Sequence, residues 1–84
     1  MNLVWASQAQ KDMEYWLKTD KRITGKIKAL LSEIARTPFT GTGKPHALRE
    51  NWSGFWSRRI SGEHRLMYRI VGDVIEIAQC RWHY

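Results

Sequence analysis

Two consecutive segments near the start of the chain carry apolar residues at helical spacing. The first begins with Ser7 and Gln10, a pair typical of a capping box, and predicts a helix from about Ser7 to Lys18. The second follows a cap at Thr19-Asp20 and ends before Pro38. The apolar positions are Ala9, Met13, Trp16 and Leu17 in the first segment and Ile23, Ile27, Leu30, Leu31 and Ile34 in the second. Because the link between the segments is very short, the pattern predicts a helical hairpin.

The rest of the chain alternates between apolar and polar residues, which is typical of strands. We expect strands at residues 1–5, 55–60, 64–71 and 74–82. Ser61-Gly62 and Gly72-Asp73 supply turns between the last three strands, and residues 39–45 form an exposed loop. The pattern therefore predicts a single α+β domain over residues 1–84, in which an N-terminal short strand and a two-helix hairpin pack on a mainly antiparallel twisted sheet.

The composition indicates a soluble globular protein. The 84 residues are 43% hydrophobic, which is too apolar for a disordered chain. No run reaches the roughly 20 apolar residues of a membrane span, and the first residues lack the charged and apolar regions of a signal peptide. Cys80 is the only cysteine, so no internal disulfide can form. We therefore expect a cytoplasmic protein that does not bind membranes.

The formal net charge of +6 indicates an anionic partner, because excess positive charge on so small a body attracts polyanions. In residues 44–84, six of the seven lysine and arginine side chains are arginine. Arginine forms bidentate phosphate contacts better than lysine does, so nucleic acid is the favoured partner. The alternative is a solvated basic surface that only keeps the protein soluble.

The spacing of the residues excludes two common kinds of binding site. In Gly41-Thr42-Gly43-Lys44-Pro45 the glycines are too close together and proline follows the lysine, which excludes a nucleotide-binding P-loop. The histidines and Cys80 match no common zinc pattern, so we expect neither a metal nor another cofactor. Cys80 itself lies among apolar neighbours, where a buried and unreactive thiol is usual.

Arginine and histidine side chains are concentrated in the predicted strands and at the C-terminus. The cluster comprises Arg58, Arg59, His64, Arg65, Arg69, Arg81, His83 and Tyr84. Histidine can move protons at neutral pH and arginine can stabilise a phosphate that gains charge, which are the two needs of RNA cleavage without a metal. The alternative is a surface that binds nucleic acid without chemistry, on which Trp52 and Trp82 would stack on bases.

Strand alternation leaves the placement of His83 open. If Gly72-Asp73 is a strict two-residue turn, Arg65 faces Cys80, and His83 points to the opposite side of the sheet from Arg65. A one-residue bulge, or a chain end that leaves the ladder of hydrogen bonds, would reverse this arrangement.

Six segments spread over nearly the full chain form a specific set of motifs. They are Thr19-Asp20-Lys21-Arg22-Ile23, Arg36-Thr37-Pro38-Phe39, Gly41-Thr42-Gly43-Lys44-Pro45, Ser53-Gly54-Phe55-Trp56-Ser57-Arg58-Arg59-Ile60, Glu63-His64-Arg65-Leu66 and Cys80-Arg81-Trp82-His83-Tyr84. Together they resemble the YoeB-type toxins of the RelE superfamily. The resemblance implies a RelE-like microbial ribonuclease fold and a type II toxin–antitoxin toxin that cleaves mRNA in the ribosomal (30S) A site without a metal. It also implies a homodimer and a cognate YefM-type antitoxin whose C-terminal segment covers the active site.

The resemblance further implies roles for individual residues. Arg65 would stabilise the scissile phosphate, His83 would be the general acid and Tyr84 would position the substrate. The residues expected to contact RNA are Lys44, Arg49, Arg58, Arg59 and Trp82. The family pattern usually has a glutamate as general base where this chain has His46. Either His46 takes over that role or the toxin is catalytically weaker.

The leading hypothesis is a ribosome-dependent endoribonuclease, in which attack by the 2′-hydroxyl leaves a 2′,3′-cyclic phosphate and a 5′-hydroxyl. The alternative is a non-catalytic module that binds nucleic acid or its antitoxin and blocks translation by occupancy. A gyrase-poisoning toxin of the same superfamily is disfavoured, because the terminal His83-Tyr84 resembles the ribonuclease branch.

Overall fold

The computed structural model describes residues 1–82, in which two helices pack against a five-stranded sheet. The elements are β1 (Asn2–Trp5), α1 (Ser7–Thr19), α2 (Lys21–Arg36), β2 (His46–Ala47), β3 (Trp56–Ser61), β4 (His64–Val71) and β5 (Val74–Gln79), with a 3₁₀ turn at Glu50–Trp52. The strand order is β1-β5-β4-β3-β2. β1 pairs with β5 in parallel, and the other neighbours are antiparallel. The predicted α+β fold, with a helical hairpin on a mainly antiparallel sheet, is confirmed.

The helices form where predicted, but their caps differ from the prediction. α2 begins after Asp20, whose carboxylate accepts hydrogen bonds from the backbone N–H groups of Arg22 and Ile23, as a capping residue should. The predicted capping box at Ser7 is wrong, because Ser7 already lies inside α1 and no side chain caps this end. Within residues 1–82, no helix is long and apolar enough to cross a membrane.

The core lies between the helices and the sheet. The predicted apolar stripe of α2 supplies four buried residues, and the inner positions of β3, β4 and β5 face them. Leu17, which the helical pattern of α1 also placed in the stripe, is instead half exposed. The buried apolar residues of this layer are Ala9, Trp16, Ile27, Leu30, Leu31, Ile34, Ile60, Leu66, Tyr68, Ile75, Ile77 and Cys80.

The pairing of β4 with β5 contains a register shift that changes the end of the sheet. Val71 pairs with Val74, as a two-residue turn requires, but the register slips between Met67 and Tyr68. β5 then ends at Gln79, three residues before the predicted end. Arg65 consequently does not face Cys80, and its backbone N–H donates to the Trp82 carbonyl at 2.9 Å.

Candidate active site

A small cleft at the β2 side of the sheet brings together three of the predicted cations and one histidine. It has a volume of about 120 Å³ and is lined by Gly43, Lys44, His46, Arg59 and Arg65. Arg59 on β3 lies directly opposite Arg65 on β4. Like charges at such positions repel unless an anion lies between them. Since none of the three cations forms a salt bridge within residues 1–82, the cleft suits a bound anion such as phosphate.

The half-buried Arg65 guanidinium is held on one side by backbone carbonyl groups. Its Nη1 donates to the Gly62 carbonyl at 2.7 Å and to the His64 carbonyl at 3.1 Å. The Nε and Nη2 groups make no hydrogen bond to the part of the chain that the structure describes. An anchored guanidinium with donors to spare is suited to binding a phosphate oxygen without first having to be ordered.

His46 begins β2 and pairs with Ser57 of β3, which places its exposed imidazole at the edge of the cleft. Its Nδ1 lies 3.4 Å from the Lys44 carbonyl oxygen, and its Nε2 lies 3.4 Å from the Ser57 hydroxyl. A carbonyl oxygen only accepts hydrogen bonds, so this contact suits the tautomer that carries its hydrogen on Nδ1. Nε2 is then the basic nitrogen of the ring, the state in which an imidazole accepts a proton.

The glycine-rich loop holds the backbone close to β3. The Gly43 carbonyl accepts a hydrogen bond of 2.7 Å from the Arg59 backbone N–H. Gly43 has a φ of +87°, and a Cβ atom there would lie 2.9 Å from the Arg59 carbonyl oxygen. The next residue, Lys44, also has a positive φ, of +52°, and lines the cleft. Glycine at position 43 therefore serves the close approach that carries Lys44 to the two arginines.

Arg58 does not belong to this surface, and its predicted role in contacting RNA is wrong. The residue is fully buried, and its Nη1 lies 2.8 Å from Glu33 Oε1 on α2. Adjacent residues of a strand point to opposite faces of the sheet. Arg59 therefore faces the cleft, and Arg58 faces the helices together with Ile60.

Three other predicted residues, Arg49, Trp52 and Trp82, lie outside the cleft. Arg49 lines a neighbouring groove of about 540 Å³, which shares His46 with the cleft. Trp82 is half exposed, and its ring lies 4.9 Å from that of His64. Trp52 packs edge-on against Phe55. His83 and Tyr84, the predicted general acid and positioning residue, lie outside the described residues. No three His, Cys, Asp or Glu side chains within residues 1–82 are grouped as a metal site.

Three residues hold the chain immediately before His83: Asp12 and Trp16, which had no predicted site role, and His64 of the predicted arginine and histidine cluster. The buried Asp12 of α1 accepts a hydrogen bond from the Cys80 backbone N–H at 3.0 Å. His64 Nδ1 accepts one from the Trp82 backbone N–H at 2.8 Å. The Trp16 indole also donates to the Cys80 carbonyl at 2.9 Å. No spacing in the sequence indicates these contacts, because they join residues 18 to 68 positions apart.

Replacing Asp12 with alanine should destabilise the fold, because the Cys80 N–H would remain buried without its partner. An unsatisfied buried donor costs about 1–3 kcal/mol. We expect a decrease of that size in the free energy of unfolding, measured by urea denaturation. Glu14→Ala on the exposed face of the same helix is the control and should change it little. Equal stability of the two variants would contradict the anchoring role of Asp12.

Cys80 should be unreactive in the folded protein. Burial, with a further contribution from the charge of Asp12, raises the pKa of the Cys80 thiol to about 12, from an ordinary value of 9.0. At pH 8 the thiolate, which is the nucleophile, is then about a thousandfold rarer than in the unfolded chain. We expect iodoacetamide to label Cys80 only after unfolding in urea. Labelling at equal rates in the two states would show that the thiol is accessible.

Comparison with known proteins confirms the resemblance. The sequence model of a family described as the YoeB-like toxin of bacterial type II toxin–antitoxin systems matches residues 5–84. Toxin YoeB of Escherichia coli (strain K12) is 52% identical over 84 residues and covers 100% of both chains. The solved YoeB/ParE toxin from Agrobacterium tumefaciens has a TM-score of 0.97 at 46% identity, again with 100% of both chains covered. Staphylococcus aureus YoeB, solved as a dimer and in a heterotetrameric complex with YefM, gives TM-scores of 0.94 and 0.93 at 41% identity, covering 100% of this chain and 98% of that one. The protein therefore belongs to the YoeB family of toxins of bacterial type II toxin–antitoxin systems.

Proposed function

We propose that this toxin is a ribosome-dependent endoribonuclease of the cytoplasm that cleaves mRNA in the A site of the 30S subunit. The observation that carries the proposal is the cleft in which Lys44, Arg59 and Arg65 converge beside the His46 imidazole. The cations supply a phosphate site and the imidazole supplies a group that can accept a proton. A site that only bound nucleic acid would need the first feature but not the second.

The reaction begins with attack of the RNA 2′-hydroxyl oxygen on the adjacent phosphorus. As the new P–O bond forms, the phosphorus becomes pentacoordinate and its non-bridging oxygens gain negative charge. Arg65 donates hydrogen bonds to these oxygens, and Arg59 and Lys44 hold the phosphate from the other side of the cleft. Fixed donors aimed at charge that develops in the transition state commonly contribute about 10²–10³ in rate.

Two proton transfers complete the reaction. The 2′-hydroxyl proton goes to Nε2 of His46, and the leaving 5′-oxygen receives a proton from His83 as its bond to phosphorus breaks. Tyr84 positions the substrate. The products are a 2′,3′-cyclic phosphate and a 5′-hydroxyl, and no metal or other cofactor takes part. Separate groups for the two transfers allow each to act on its own oxygen atom.

The surface around the cleft continues the proposed RNA path. Arg49 lies in the groove that shares His46 with the cleft, where its guanidinium is exposed and would hold the backbone of a neighbouring nucleotide. The half-exposed Trp82 ring offers a stacking surface for a base. Both contacts add affinity for RNA without taking part in the chemistry.

We also propose that a YefM-type antitoxin neutralises this toxin and that the toxin forms a homodimer. The S. aureus relative, at 41% identity, has been solved in both kinds of assembly. The positive cleft would attract carboxylates of an antitoxin segment as it attracts phosphates, since both are anions that arginine binds in a bidentate manner. An antitoxin bound there would exclude RNA.

Cleavage on programmed ribosomes separates catalysis from occupancy. The purified toxin is added to ribosomes that carry a defined mRNA, and the message is analysed by primer extension and by labelling of new 5′-hydroxyl ends. Discrete cuts within the A-site codon, with 5′-hydroxyl ends, are expected. Intact mRNA with stalled ribosomes would contradict the nuclease and support a module that acts by occupancy.

A further inference from the structure

The buried Arg58 uses every N–H group of its guanidinium. Five hydrogen bonds of 2.6–3.2 Å join it to the chain, and the side chain has no exposed surface. Its acceptors are the Tyr68 hydroxyl, the Glu33 carboxylate and the backbone carbonyl oxygens of Thr37, Thr40 and Thr42. Three of the five bonds therefore go to one segment of backbone, residues 37–42, which contains no helix or strand.

The acceptors of Arg58 are themselves tied to the same segment. The Thr42 backbone N–H donates to Glu33 Oε1, the oxygen that also accepts from Arg58. The Tyr68 hydroxyl donates to the Pro38 carbonyl at 2.7 Å. The Thr42 N–H, followed by the contribution of Arg58, lowers the pKa of the Glu33 carboxyl. The pair thus stays ionised, with the loop wrapped around it.

A gain in stability does not explain why the fold contains the ion pair between the buried Arg58 and Glu33. Removing a guanidinium from water is costly, and apolar residues of similar volume often stabilise a core as well as a buried ion pair does. What an apolar side chain could not do is fix three backbone carbonyls at once. The arrangement specifies the path of the loop, and that path leads within two residues to the cleft.

The backbone of the loop packs closely against Glu33 and β3 where it approaches the cleft. A Cβ atom on Gly41 would lie 2.0 Å from Glu33 Oε1, so the backbone passes directly over the carboxylate. Gly43 then bonds to β3, and Lys44 and His46 follow in the cleft. We propose that Arg58 and Glu33 form a positioning pair that sets Lys44 and His46 against Arg59 and Arg65. This inference rests on the proposed function, in that the cleft is taken as the site of cleavage.

Glu33→Ala tests the pair, with Glu33→Gln as the conservative variant that retains the accepting oxygen. Misplacing a reacting group by about 1 Å can cost about 10²-fold in rate. We expect Glu33→Ala to lower the single-turnover rate constant at saturating programmed ribosomes by about 10- to 100-fold, and Glu33→Gln to restore most of it. Glu76→Ala, which removes the carboxylate of the exposed Arg69–Glu76 ion pair, is the matched control and should keep the parent rate constant.

The amplitude of the same reaction, which is the amount of mRNA cleaved, distinguishes a loss of positioning from a loss of stability. A variant that only unfolded more readily would cleave less mRNA in the single turnover at an unchanged rate constant, because the folded fraction would react normally. We expect the opposite for Glu33→Ala, a full amplitude with a reduced rate constant. A parent rate constant in Glu33→Ala, or no recovery in Glu33→Gln, would overturn the positioning pair.

Hydrogen exchange tests the pair without depending on cleavage. If the parent toxin cleaved no mRNA, the proposed function would be overturned, but the pair could still be tested in this way. The backbone N–H of Thr42 bonds to Glu33, and that of Arg59 bonds to Gly43. Both amides should exchange faster in Glu33→Ala than in the parent, whereas those in β5 should not. Unchanged exchange at Thr42 and Arg59 would show that the pair does not hold the loop.

Discussion

Arg65→Ala is expected to lower the single-turnover rate constant for mRNA cleavage by about 10²–10³. The guanidinium of Arg65 lines the cleft and is anchored by the carbonyls of Gly62 and His64, so it need not be ordered when charge develops on the phosphate. The measurement is cleavage at saturating programmed ribosomes. Growth arrest after induced expression should be lost in parallel.

A second arginine on the same strand provides the control for Arg65→Ala. Arg69 is exposed and pairs with Glu76, outside the cleft. Arg69→Ala removes the same formal charge and should leave the rate constant near that of the parent, since it cannot reach the phosphate. If both variants cleave equally well, the positive charge of the surface as a whole matters and the specific role of Arg65 is wrong.

Replacing His46 tests the proton acceptor. General base catalysis contributes about 10²–10⁴ in rate, so His46→Ala should reduce the single-turnover rate constant by a factor in that range. The imidazole can accept the 2′-hydroxyl proton only while it is neutral. Cleavage by the parent should therefore fall as the medium becomes acidic.

His46→Glu should extend cleavage toward lower pH. A carboxylate ordinarily becomes protonated only near pH 4.3, so it remains a base in a range where an imidazole has gained its proton. The measurement is the single-turnover rate constant over a series of pH values for the parent, His46→Ala and His46→Glu. A parent-like rate and pH profile in His46→Ala would show that the proton leaves to water or to another group.

The pattern of apolar residues was sufficient to predict the helical hairpin and the meander of β3, β4 and β5. Both depend on local periodicity, helical spacing in the hairpin and alternation in the strands. The cap at Asp20 is equally local, since a capping side chain contacts only the next few residues. The parallel pairing of β1 with β5 and the register shift in β4–β5 depend on contacts between distant residues. No local pattern specifies them, and the predicted strand end at Trp82 was wrong for this reason.

Arg58 and Arg59 show how far the site itself could be predicted. The adjacent arginines of β3 indicated a surface that binds RNA. Because adjacent side chains of a strand point to opposite faces of the sheet, only one of the two can lie on that surface. Arg58 shares its face with Ile60, a signal that could have identified it as the inward residue. Its partner Glu33 lies 25 residues away on α2, and only the folded chain shows that contact.

The most direct test of the proposed chemistry removes a single oxygen atom from the substrate. Ribosomes are programmed with an mRNA that carries one 2′-deoxynucleotide at the cleavage position of the A-site codon, beside an all-ribose control. Attack by the 2′-hydroxyl requires that oxygen, so we expect the toxin to bind both complexes with similar affinity and to cut only the control. Cleavage of the deoxy-substituted message at the same bond and the same rate would show that the 2′-hydroxyl is not the nucleophile.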